Sequence, residues 1–141
     1  MKSRNLKLIG ATILMAATSF TSIGIFAANA AEAPIAIPAT AAEIWKQIDM
    51  HVTELQVVVK SGVLKTVHVH AFAIRDLVRG LPTHSPGLKP EALKSVTDQS
   101  KFIDTLAERL DQTGDANDKP GTESNLKKHE AVLKTIRANY P

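Results

Sequence analysis

From Ala41 onward, apolar residues return at alternating spacings of three and four in four successive runs, with glycine or proline between most of them. That period is helical. It lays one apolar stripe along each helix, and a chain with four such stripes must bury them against one another. The first stripe, Trp45, Ile48, Val52, Leu55 and Val59, predicts a helix over 41–61. Thr40 suits its N-cap, Glu43 three residues on completes a capping box, and Gly62 is a natural stop. Val57-Val58-Val59 would also suit a strand, but the stripe continues on both sides of it. The second stripe, Leu64, Val67, Ala71, Ile74, Val78 and Leu81, predicts a helix over 63–79, ended by Gly80 and Pro82. Pro90 fits the first turn of a third helix over 90–112, whose stripe of Leu93, Val96, Ile103, Ala107 and Leu110 is broken by a polar gap at Gln99 and Ser100. A polar loop is expected over 113–122, then a fourth helix over 123–139 with Leu126, His129, Leu133, Ile136 and Tyr140 inward.

The expected fold is all-α, an antiparallel up-down-up-down four-helix bundle over residues 41–141. The short connection at Gly62 makes the first two helices antiparallel neighbours. Arrangements as two helix pairs remain open beyond that. Trp45, Leu81, Leu93 and Tyr140 end their stripes on the same side and are expected to meet at one end of the bundle.

Residues 1–30 read as a secretory signal peptide. Lys2, Arg4 and Lys7 precede an apolar run from Leu8 to Ala27, and Ala28-Asn29-Ala30 supplies small residues for cleavage. The competing reading is an uncleaved membrane anchor, since the run approaches about 20 residues. Thr18, Ser19, Thr21, Ser22 and the Ala-x-Ala site favour cleavage. Residues 31–40, Ala/Pro-rich with Pro34 and Pro38, read as an extended tether. The expected location is the periplasm or the exterior, with no membrane association after cleavage.

The full chain has 17 basic and 14 acidic residues, net charge +3. Lys2, Arg4 and Lys7 leave with the signal, so the mature chain is neutral and has no basic footprint for nucleic acid. The absence of cysteine excludes thiolate metal sites, dithiol redox chemistry and haem attached through C-x-x-C-H. No nucleophile–base pair, phosphate-binding glycine loop, H-E-x-x-H or calcium loop is visible, so no enzyme is expected.

Histidine is the remaining chemical resource. His129 falls at the centre of the fourth stripe. It reads either as a ligand or switch residue or as a neutral core residue bonded to a side chain such as Gln99 or Ser100, or to water. His68 and His70 would chelate together on a strand, but on a helix they point roughly 200° apart and cannot share one ion. His70 lies at the edge of its inward stripe and His51 flanks the stripe of the first helix, whereas His68 faces more outward and His84 sits in a Pro/Gly loop. Counted from the Gly62 end, His129, His70 and His51 lie within about one helical turn of the same depth. Three imidazoles at one level would suit a transition-metal ion, so the candidate metal ligands are His129, His70 and His51.

The four-segment layout, down to the closing Ile136-Arg137-Ala138-Asn139-Tyr140, resembles the soluble periplasmic b-type cytochrome bundle. That family takes its haem ligands from a Met early in its first helix and a His near the end of its last. Here Met50 falls on the outer face and Tyr140 is followed by Pro141, so no haem is expected. The stretches His68-x-His70-Ala71-Phe72-Ala73-Ile74-Arg75-Asp76-Leu77 and Thr105-Leu106-Ala107-Glu108-Arg109-Leu110-Asp111, with Gly114-Asp115-Ala116-Asn117, resemble small exported bundle proteins associated with heavy-metal efflux systems. That resemblance implies copper, silver or zinc as the ion and an envelope metal-efflux component as the partner. The alternative is a metal-free interaction or accessory module of an envelope complex, with Met50 and Val57 on an outer docking face.

The exported protein is expected to begin at Ala31 or Glu32. Intact-mass measurement of secreted material checks this, and a mass that retains Met1 to Ala30 rejects it.

Overall fold

The computed structural model describes residues 35–140. The expected signal peptide and the start of the tether lie outside the described residues. Four α-helices form: α1 (Ala41–Ser61), α2 (Val67–Gly80), α3 (Pro90–Asp115) and α4 (Lys119–Arg137). Helix α1 packs on α2, α2 on α3 and α3 on α4, and α4 closes more sparsely against α1. This is the sequential neighbour order of an up-down bundle. No helix among the described residues is long and apolar enough to cross a membrane.

The stripes form the core. Ile48, Leu55, Val67, Ala71, Ile74, Val78, Val96, Ile103, Ala107, Leu110 and Ile136 are all buried, joined by Ile44 and Leu77. The α1 N-terminus is capped where expected: the Glu43 N–H donates to Thr40 Oγ1 at 3.2 Å, and the Thr40 hydroxyl donates to Glu43 Oε2 at 2.9 Å. Gly62 ends α1 in the left-handed region, φ 80°, where a side chain would be strained. Its N–H reaches back to the carbonyls of Val58 and Val59.

The corners differ from the sequence expectation. A 3₁₀ turn, Leu64–Thr66, stands between Gly62 and α2, and a second, Leu81–His84, follows Gly80. Most of the expected loop over 113–122 is helical: α3 runs to Asp115 and α4 begins at Lys119. The glycines and proline there serve packing and capping. A Cβ on Gly114 would stand 2.9 Å from the Leu64 carbonyl oxygen, so this residue lets α3 approach the start of α2. Pro120 sits in the first turn of α4, where its missing N–H costs nothing. Asp118 caps that helix by accepting from the Gly121 N–H at 3.0 Å, and Asn117 makes the reversal with φ 53°.

Residues 35–40 have no helix or strand and run against the bundle. Ile35 packs on the core, and the Ala39 carbonyl lies 3.1 Å from His84 Nδ1. At this end Trp45 and Tyr140 meet edge to face, ring centres 5.5 Å apart. The Arg137 guanidinium lies 4.1 Å from the centre of the Trp45 ring and also pairs with Asp49. The Tyr140 and Ser85 hydroxyls are 3.0 Å apart, and Ser85 Oγ donates to the Leu81 carbonyl. Leu81 is fully buried; Leu93 is only half-buried.

Removing the Trp45 ring should leave a cavity. Trp45→Ala is expected to cost about 3–5 kcal/mol, and Tyr140→Phe, which removes one hydroxyl contact, about 1 kcal/mol. Urea denaturation of the two variants checks the ranking; equal, small losses would reject this end as a packed cluster.

Candidate metal centre

The α1–α2 seam carries the site. His51 and Glu54 stand three residues apart on α1 and therefore share a face. His70 comes from α2. The 3₁₀ turn sets the levels. Glu54 lies about 12 Å and His51 about 16 Å along α1 from Gly62, at about 1.5 Å per residue. Three residues rise about 2.0 Å each in the 3₁₀ turn, which puts His70 about 13 Å along, between the two.

The three side chains converge. The Nδ1 atoms of His51 and His70 are 3.2 Å apart. Glu54 Oε2 lies 3.5 Å from His51 Nδ1 and 3.2 Å from His70 Nδ1. The imidazoles are 15% and 17% exposed and the carboxylate 48%, so the triangle has a wall of protein behind it and solvent in front. Burial lowers the pKa of His51 below 6.5; Glu54 opposes that shift and His70 adds to it. The ring is thus biased towards the neutral form that binds metals. Each Nδ1 can donate to Glu54 Oε2 as an N–H or, as the other tautomer, turn a lone pair into the triangle.

The distances discriminate between coordination geometries. Ligands about 2.0–2.1 Å from a tetrahedral zinc ion stand about 3.3–3.4 Å from one another. Square-planar ligands at similar bond lengths stand about 2.8–3.0 Å apart as neighbours and about 4 Å apart across the ion. The observed edges of 3.2, 3.2 and 3.5 Å match three corners of a tetrahedron. The fourth corner would face solvent.

Of the expected ligands, His51 and His70 meet, and the convergent group that contains them does not include His129. His129 is fully buried on α4, and neither ring nitrogen has a hydrogen-bond partner among the described residues. Gln99 and Ser100 do not satisfy it: the Ser100 hydroxyl turns back to the Thr97 carbonyl. Glu54 was missed by sequence reasoning that weighed histidines alone. A carboxylate three residues beyond His51 was the available signal.

Compared with family models, curated proteins and solved structures, the chain matches none. The architecture it shares with the bundles named above is that of four helices, and the His51–Glu54–His70 group rests on its own geometry.

Burial alone pushes the pKa of His129 from 6.5 down to about 4. Because the folded value lies below the unfolded one, the unfolded chain takes up a proton first as pH falls. The stability present above pH 6.5 is lost progressively down to about pH 4. The loss from this one group is expected to be about 3 kcal/mol. Denaturation of wild type and His129→Leu at several pH values checks it: the variant should lack this part of the acid sensitivity. Parallel stability–pH curves would show that His129 titrates normally.

Proposed function

We propose that the chain is an exported helical bundle that binds a divalent transition metal, zinc before copper, through His51, Glu54 and His70. The observation that carries this reading is the triangle of convergent ligand atoms, whose edges fit tetrahedral zinc. Two imidazoles and a carboxylate form a borderline donor set without sulfur. That chemistry favours Zn²⁺ and Cu²⁺ over silver or cuprous ions, which prefer thiolates and thioethers. Met50, the thioether next to His51 in sequence, is exposed, and adjacent residues of a helix project about 100° apart. His129 is left out of the ligand set in this reading and serves as a core residue.

A site of three protein ligands leaves its fourth position to water or to a donor from another molecule, through which an ion could be passed on. The protein is therefore proposed as a metal carrier or buffer of the cell envelope, with an efflux component as its exchange partner and no catalytic role. The second reading, a metal-free docking module, draws on Met50 and Val57, which are 50% and 62% exposed on α1.

Zinc titration of the mature protein separates the two. His51→Ala, His70→Ala and Glu54→Gln should each weaken binding by at least about tenfold. Affinity should also fall as pH drops through the histidine range, because protons compete for the ring nitrogens. Wild type that fails to bind zinc, or affinities unchanged by all three substitutions, would favour the docking module.

A further inference from the structure

The bundle brings together a second, separate set of ligand atoms in the next seam. His68 and His70 project from nearly opposite sides of α2. While His70 joins α1, His68 converges with Asp111 and Asp115 of α3, one ligand atom from each lying within 4.8 Å of the others. The two aspartates are one helical turn apart and share a face. Gly114 stands between them in sequence, at the point where α3 comes close enough to α2 that a Cβ would meet Leu64 and Val67.

The pairing of the chain's seven aspartates sets this pair apart. Asp49 pairs with Arg137, Asp76 with Arg75 and Arg79, Asp98 with Lys94 and Lys101, and Asp104 with Arg79. Asp118 caps α4. Asp111 and Asp115 alone have no hydrogen-bond or ion-pair partner among the described residues, and they are the two that face His68. Like charges at this spacing on a helix repel. A cation between them would reverse that repulsion, and the half-buried imidazole completes the donor set.

We propose that His68, Asp111 and Asp115 form a second divalent-cation site, independent of the first. One nitrogen and two carboxylates make a harder donor set than that of the α1–α2 seam, suited to Mn²⁺ or Zn²⁺ and poor for cuprous or silver ions. Asp115 is exposed and Asp111 half-buried, so this site is the weaker of the two. The H-x-H pair then divides its histidines between two sites on opposite flanks of one helix.

The two sites share no residue, so each can be tested alone. Zinc is titrated calorimetrically into the mature protein carrying His51→Ala and His70→Ala, with circular dichroism to verify the helices. One weaker equivalent should remain, and adding His68→Gln or Asp111→Asn should reduce its affinity at least about tenfold. Asp115→Asn, on an exposed side chain, provides the variant least able to disturb the fold. Loss of all zinc binding in the folded double variant would overturn the proposal, as would a residual equivalent indifferent to all three further substitutions. If His51→Ala and His70→Ala change nothing while Asp111→Asn weakens binding, the first site fails and the second stands.

Discussion

The corner at Gly62 governs the rest of the molecule. A left-handed glycine stops α1, and the 3₁₀ turn that follows lifts α2 by about 2.0 Å per residue before the α-helix resumes. That offset fixes which residues of α1 and α2 stand opposite each other. It seats Val67, Ala71 and Ile74 in the core and presents His70 between the levels of His51 and Glu54. An uninterrupted α-helical start to α2 would lower His70 by about 1.5 Å, enough to change the spacing of the His51, Glu54 and His70 ligand atoms.

Much of the fold was legible because burial writes itself into sequence with a helical period. The stripes of the first two helices were read almost residue for residue, and Thr40 and Gly62 bound α1 as their chemistry demands. The third corner misled for an equally physical reason. Gly114, Pro120 and Gly121 resemble a breaker cluster, yet a glycine within a helix also permits close approach and a proline in a first turn sacrifices no hydrogen bond. Sequence spacing cannot distinguish a glycine that ends a helix from one that another backbone presses against.

The site was half legible. His51 and His70 could be placed at one depth because the turn between them is short. Their partner Glu54 lies on an exposed part of α1 and gave no periodic signal. His129 shows the opposite difficulty: its stripe position revealed burial, but no pattern in the chain says whether a buried ring finds a partner. Its nitrogens find none among the described residues. A cost of about 1–3 kcal/mol for such an orphaned group is tolerable only in a core whose remaining side chains are well packed.

The nineteen-residue separation of His51 and His70 has a bearing on chain assembly. His51, Glu54 and His70, the candidate ligands of the α1–α2 seam, all belong to one helical hairpin, so an ion there would act as a short-range staple. It would restrict the denatured ensemble of α1 and α2 much as a cross-link closing a small loop does. Helices α3 and α4 supply none of its ligand atoms and would gain no order from that ion directly; α3 packs on α2 and α4 chiefly on α3. In a chain whose N-terminal half emerges first, such a staple could set before the second half is present to bury it.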